Sequence, residues 1–105
     1  MELSNLEEVP GKKILEHYGI VMGNTIRAKN FIKDFGAGLK GMIGGELNSY
    51  TELMSESRRE AAHRMMTQAH ELGANAIVNI RFATSTITTG AAEILAYGTA
   101  VKVED

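Results

Sequence analysis

The sequence contains no cysteine, and this absence excludes several kinds of chemistry. Without a thiol the chain can form no disulfide bond, no thiolate zinc site and no cysteine nucleophile. An excess of positive charge is also missing, because 11 Lys and Arg residues stand against 13 Asp and Glu residues and give a net charge of −2. The basic residues are scattered along the chain, and both features argue against nucleic-acid binding.

Long apolar stretches are absent as well. No run approaches the about 20 residues that a membrane-spanning helix needs. The first residues, MELSNLEEVPGKK, lack the basic-then-apolar order of a signal peptide, so we expect a cytoplasmic protein. With 105 residues the chain is predicted to form one domain over residues 1–105. Residues 1–11 end in the turn pair Pro10-Gly11 and are predicted to be a tail or a short edge segment.

The clearest pattern that is present is a long helix that begins near Asn48. Ser49 and Glu52 have the spacing of an N-terminal capping box, and Gly73 supplies a left-handed stop. Apolar and small side chains recur at helical spacing on one broad side: Leu53, Met54, Ser57, Ala61, Ala62, Met65, Met66, Ala69 and Leu72. This arc is wider than one packing surface needs, which indicates two covering surfaces.

Three further segments, residues 12–22, 76–82 and 93–103, predict β-strands. The first is expected to end at Gly23-Asn24, and the Thr-rich residues 83–92 predict a hairpin between the other two. The first two strands carry apolar residues at both odd and even positions, and so on both faces, as strands that are buried on both faces do.

A second, shorter helix is predicted between the first strand and the long helix, because apolar residues recur at helical spacing over residues 31–43. Its three glycines each cost about 1 kcal/mol relative to alanine, so this helix needs close packing against another backbone. The predicted fold is α+β: a three-stranded antiparallel sheet with the third strand in the middle (order 1-3-2), covered by the long helix.

Several motifs that suggest chemistry have a simpler structural interpretation. Residues 36–41 match G-x-G-x-x-G, but they lie inside a helical apolar pattern, which favours close helix packing over nucleotide binding. His63 and His70 lie two helical turns apart, about 10 Å, which is too far to chelate one ion together. Most of the methionines fall on apolar helical stripes, where methionine is an adaptable core filler.

Arg58 is the exception in the apolar arc, because it lies beside Ala61 and Met65. A buried guanidinium needs a carboxylate, an array of carbonyls or a bound anion. We therefore expect Arg58 to be buried and to pair with Glu46, with Glu93 or with a neighbouring chain; a bound anion is the alternative.

Tyr50 and Arg81 are weaker polar outliers of the same kind, as buried or interface residues. No Ser-His-Asp arrangement, nucleophile elbow or pair of carboxylates occurs at a recognisable spacing. The residues therefore give no support to an enzyme and indicate no cofactor.

From Gly19 onward the sequence resembles the YbjQ-like family of uncharacterised small proteins. The matching stretches are GIVMGNTI, NFIKDFGAGLKGMIGG, Tyr50 followed eight residues later by Arg58, LGANAIVNIRF and YGTAVKV. The resemblance implies a compact α+β subunit with a three-stranded antiparallel sheet, ring-like homopentamers and no established activity. The family is sometimes labelled heavy-metal-binding. Two positions depart from its usual pattern: Glu46 replaces a basic residue, and Asn79 replaces a glycine.

Self-association is the strongest functional expectation. One helix covers only one face of a sheet, whereas the strands carry apolar residues on both faces. Burying the second face between identical chains gives a closed oligomer, and the number five comes from the resemblance alone. We expect a self-assembling binding or structural module of unknown ligand; the alternatives are a metal-binding or metal-handling protein, and an enzyme with a site at the subunit interface.

Overall fold

The computed structural model describes residues 1–27, 44–88 and 91–105, with side chains in the second range from residue 51 onward. One helix and four strands lie in these ranges: β1 (Glu2–Leu3), β2 (Ile14–Arg27), α1 (Gly44–Glu71), β3 (Ala76–Thr88) and β4 (Ala91–Val103). The strands form a single sheet in the order β1-β3-β4-β2. β1 runs parallel to β3, and the other neighbours are antiparallel. The fold is α+β.

The sheet differs from the prediction at its edge. A purely antiparallel sheet of three strands is not confirmed, because β1 adds a fourth, parallel strand beside β3. β1 belongs to the segment that the sequence predicted as a tail or an edge. Two residues are too few to show a strand periodicity, so hydrophobic patterning could not find it. β4 does lie between β2 and β3, as predicted.

β2 also continues past its predicted end. Gly23 and Asn24 pair with Ala96 and Leu95 in the middle of the β2–β4 ladder, so they do not close the strand. A glycine is needed at position 23 because α1 packs closely against it. A side chain on it would overlap the Ala61 carbonyl oxygen and the Met65 amide nitrogen, so the backbone of α1 lies directly on this glycine.

α1 ends as predicted but begins earlier. Gly73 has a φ of 91°, the left-handed conformation of a helix stop. The helix begins at Gly44, so Ser49 lies inside it and the predicted capping box at Ser49 is wrong. The predicted short helix over residues 31–43, with its G-x-G-x-x-G stretch, lies outside the described residues.

The main core lies between α1 and the sheet. Its fully or almost fully buried members are Val21, Ala61, Met65, Ala69, Ala74, Ile77, Ile94, Ala96 and Ala100. The helix contributes every fourth residue, Ala61, Met65 and Ala69, which confirms that part of the predicted arc. Leu72 is an exception, since it lies beyond the helix and is 47% exposed.

A smaller cluster packs on the opposite face of the sheet, near the chain termini. Ala76, Val78, Val101 and Val103 form it, and Val9 of the N-terminal segment covers it. Only this end of the second face has an apolar cover among the described residues.

Gly23→Ala is predicted to destabilise the protein strongly. The added methyl group must push the backbone of α1 away from β2, and forced overpacking of this kind costs about 1–3 kcal/mol or more. The free energy of unfolding from urea denaturation, followed by circular dichroism, measures the effect. Ser85→Ala, on the exposed part of β3, is the control and should change it by less than about 0.5 kcal/mol. Equal stabilities for the two variants would contradict the close helix contact.

Candidate functional site

The face of the sheet that α1 leaves uncovered carries a patch of apolar side chains. Pairing across the sheet sets its members on one side, because Met22 lies opposite Tyr97 and Asn24 lies opposite Leu95. We call this patch the open sheet face; its apolar residues are Ile20, Met22, Ile26, Leu95 and Tyr97. Ile20 is 72% exposed and Ile26 is 54% exposed. Side chains of this type are normally buried, and a contiguous group of them marks an interaction surface.

Polar groups also lie on the open sheet face. The Asn24 amide donates a hydrogen bond to a Glu93 carboxylate oxygen at 2.8 Å, across the β2–β4 pair. Arg81 lies opposite Tyr97 and donates to the Asn5 and Ile80 carbonyl oxygens at 2.7 and 2.8 Å. The exposed Arg81 therefore ties the N-terminal segment to β3. The face thus carries an acid and a base around its apolar centre.

The outer edge of β2 is closed by side chains of α1. Gln68 accepts a hydrogen bond from the Met22 amide at 2.7 Å, and Arg64 donates to the Asn24 carbonyl oxygen at 2.6 Å. An unpaired strand edge is a template for pairing with another chain. These two bonds remove that possibility at the middle of β2, so an incoming chain must use the face and not this part of the edge.

A polar cluster fixes the end of β2 against α1. Arg27 donates through Nε to the Ser57 hydroxyl at 2.8 Å and lies 3.4 Å from a Glu60 carboxylate oxygen. Glu60 also binds Arg64 at 2.5 Å, and the buried Thr25 donates to the Ser57 carbonyl oxygen at 3.3 Å. No sequence pattern indicates this cluster, because Thr25 and Arg27 lie 30 to 33 residues before their partners Ser57 and Glu60.

The structure describes the side chain of Arg58 but not that of Tyr50, the two candidate buried or interface residues on the helix. Arg58 is exposed in the single chain, so burial within one chain is not what the structure shows; burial against a second chain stays a prediction. Its guanidinium donates to the Ser55 hydroxyl at 3.1 Å. Glu93, one of its expected partners, binds Asn24 instead. The side chains of Tyr50 and of Glu46, the other expected partner, are outside the described residues.

Arg58 does line an open cleft beside α1. The cleft has a volume of about 330 Å³ and is bounded by Ser55, Arg58, Arg59, Ala62 and Phe82. Phe82 pairs with Ala96, so its side chain lies on the helix side of the sheet, opposite to the open sheet face.

A second cleft is lined by histidine and methionine side chains, which are possible metal ligands. It has a volume of about 360 Å³ and is lined by Met1, His63, Met66, Thr67, His70 and Glu71. In the part of the chain that the structure describes, no three His, Cys, Asp or Glu side chains are grouped closely enough to hold a metal ion. Met65 is buried in the core and Met66 packs against it, which confirms the core role predicted for these two methionines.

The hydroxyl of Tyr18 forms a short hydrogen bond to a Glu16 carboxylate oxygen, at 2.5 Å. This bond, then desolvation and the Glu16 charge, raises the pKa of Tyr18 above its ordinary value. At neutral pH the phenol is therefore a donor and not a base, which agrees with a structural role.

Among the described residues, no helix has both the length and the apolar composition that crossing a bilayer requires. A family profile described as "Putative heavy-metal-binding" matches residues 1–104. The chain belongs to the YbjQ-like family.

Relatives of this YbjQ-like chain span bacteria and archaea. A "UPF0145 protein" of Hahella chejuensis is 52% identical over 104 residues, which cover 99% of this chain and all of the relative. One from Archaeoglobus fulgidus is 50% identical over 101 residues, covering 96% of this chain and 94% of the relative. A crystal structure of a protein of unknown function from Pediococcus pentosaceus, of the DUF74 family, has a TM-score of 0.65 at 13% identity. It covers 99% of this chain and 98% of its own, and it shows the fold alone.

One departure from the YbjQ-like pattern has a clear structural basis. Asn79, at the position of the expected glycine, has a φ of 54° and causes a bulge in β3, where the register slips between Val78 and Arg81. Asparagine tolerates this left-handed conformation better than most residues. On β4, close to the bulge, Gly98 has no room for a side chain, because a Cβ would lie 2.7 Å from Ile77. The bulge turns Arg81 onto the open sheet face.

Ser57→Ala is predicted to lower the free energy of unfolding by about 1–2 kcal/mol, because it removes a buried hydroxyl and leaves the partly buried Arg27 Nε–H without its acceptor. Thr67→Ala is the matched control. Both hydroxyls donate to the carbonyl four residues earlier, but Thr67 is exposed and accepts no arginine. Urea denaturation of both variants should show a clear loss only for Ser57→Ala; equal losses would mean that the polar cluster contributes little.

The single chain is predicted to have no tight heavy-metal site. Soft metals favour thiolates, which the sequence lacks, and in the described part of the chain His63, His70 and Glu71 of the second cleft are not grouped closely enough to hold one ion. Calorimetric titration of tag-free protein with zinc, copper and cadmium tests this. Submicromolar binding near one ion per chain would refute it.

Proposed function

We propose that the protein is a self-assembling cytoplasmic module, and that its open sheet face binds a second copy of the same chain. The observation that carries the proposal is the row of exposed apolar side chains on this face, with Ile20 at 72% and Met22 at 50% exposure. The ligand that such an assembly would bind or organise is unknown. The cytoplasmic location rests on the sequence alone.

The shape of the chain supports an association. Its radius of gyration is 16.7 Å, whereas a compact domain of this length has about 13 Å. Its accessible surface is 6778 Å², compared with about 5,800 Å² for a compact monomer of its mass. The chain is thus more extended than a compact monomer of its length, which leaves surface for a second copy to cover.

The polar groups of the open sheet face favour an identical partner. Glu93 and Arg81 give the face both signs of charge, and a chain with 11 basic and 13 acidic residues offers groups of both signs to pair with them. Identical chains close into a finite assembly when their contacts repeat around an axis. The number of subunits, five, is carried over from the family resemblance.

The protein is predicted to be an oligomer at micromolar concentration, and Ile20→Glu is predicted to dissociate it. Five chains of 11.4 kDa give a mass of about 57 kDa. A charge at Ile20 must lose its hydration if the open sheet face is buried, whereas in the free chain it stays in water. Light scattering coupled to gel filtration measures the masses.

Leu72→Glu is the control for the previous experiment, because it changes another exposed aliphatic residue away from the open sheet face. It should keep the wild-type mass. A wild-type mass near 11.4 kDa would overturn the proposal. A trimer or a hexamer would overturn only the number of subunits. An Ile20→Glu variant that stays assembled would contradict the open sheet face as the contact surface.

Metal binding is a second candidate function. The description of the family profile suggests it, and the cleft with His63, Met66 and His70 is the place for it in this chain. Imidazole and thioether groups suit soft or borderline ions. In the described part of the chain the ligand set is incomplete, so tight binding would need ligands from a neighbouring subunit.

A further inference from the structure

The cleft beside α1 has two walls of opposite character. Arg58 and Arg59 follow each other on the helix and form the charged wall, with Ser55 one turn earlier. Ala62 and Phe82 form the apolar wall, and Phe82 is 49% exposed although it lies on the side of the sheet that α1 covers. Neither the family description nor the proposed association assigns a role to this cleft.

The charged wall has no acidic partner among the described residues. Arg27 and Arg64 each bind the Glu60 carboxylate, whereas no carboxylate of the described chain lies within 4.0 Å of the guanidinium groups of Arg58 and Arg59. Ser55 orients Arg58 by accepting one hydrogen bond, and this leaves most of the guanidinium donors available. Both arginines line the cleft, and a guanidinium group presents planar, paired donors that match carboxylate and phosphate oxygens.

The apolar wall makes the cleft more than a charged surface. The phenyl ring of Phe82 offers a flat apolar surface for stacking, and the small side chain of Ala62 takes up little of the cleft. A volume of about 330 Å³ lies at the lower end of the range of small-molecule sites. Inorganic phosphate would leave the apolar wall in water, so the cleft fits an anion that carries a flat apolar body.

We propose that the cleft formed by Ser55, Arg58, Arg59, Ala62 and Phe82 binds a small organic anion, with its carboxylate or phosphate on the arginines and its planar apolar part against Phe82. The cleft lies on the side of the sheet opposite to the open sheet face. Ligand binding and association through that face are therefore separate properties, and either one can fail without the other.

Titration of the full chain with phenyl phosphate, followed by amide chemical shifts in NMR spectra, tests the proposal. We expect saturable binding of one molecule per chain, with the largest shifts at residues 55–62 and at Phe82. Benzyl alcohol lacks the charge and inorganic phosphate lacks the ring, so each should bind at least about tenfold more weakly than phenyl phosphate. Benzoate, compared with phenyl phosphate, identifies the preferred anionic group.

Two variants separate the walls of the cleft. Arg58→Gln with Arg59→Gln should weaken phenyl phosphate binding at least about tenfold, and Phe82→Ala should reduce it to the level of inorganic phosphate. Lys13→Gln with Lys102→Gln removes the same charge from exposed positions outside the cleft and should leave binding unchanged. If the double arginine variant fails to fold, the comparison of the three probes on the wild-type chain decides.

Several results would overturn the proposal. They are shifts centred away from the cleft, equal binding of benzyl alcohol and phenyl phosphate, or equal losses in the arginine and lysine variants. Absence of saturable binding in the millimolar range would do the same.

Discussion

The contact between Gly23 and the backbone of α1 determines how the rest of the molecule is arranged. A glycine allows the helix to lie directly on β2. On the face that it covers, α1 therefore packs mainly over β2, at the edge of the sheet, and not over its centre. Ala61 and Met65 then reach the core, while the β3 side of the same face stays partly open and leaves the cleft at Phe82. The cleft at Phe82 is thus a consequence of this close approach.

The same placement explains the polar cluster at the end of β2. With the helix so near, the buried Ser57 meets Arg27, and Glu60 lies between two arginines. Glu60 is partly exposed, so its ion pairs contribute modestly to stability, whereas the buried Ser57 hydroxyl must be satisfied. The hydrogen bonds of Ser57 therefore contribute more to stability than the ion pairs of Glu60.

The sequence predicted the long elements of the fold, and the failures have physical causes. Periodicity located α1, β4 and the buried first part of β3, because each has apolar residues at regular spacing; the exposed end of β3, which runs on to Thr88, was predicted only as part of a hairpin. It placed Arg58 in the apolar arc but could not tell which half of a broad arc packs on the sheet; the half with Ala61 and Met65 does. Gly23 was interpreted as a strand end, since a glycine signals a turn or a close backbone approach equally well. The cleft and the cluster depend on residues far apart in the chain.

The edges of the sheet limit how identical chains can meet. Gln68 and Arg64 close β2 near Met22, and the carbonyl oxygens of Ser4 and Leu6 accept the amides of Ile80 and Asn79 on β3. The hairpin arm over residues 82–88 is exposed throughout, and no described segment pairs with its outer edge. A ring with head-to-tail contacts needs two different surfaces on each chain. The open sheet face and this Thr-rich arm are two such surfaces. Strand pairing between two β2 edges is blocked near Met22, whereas a closed ring that uses these two surfaces is compatible with the structure.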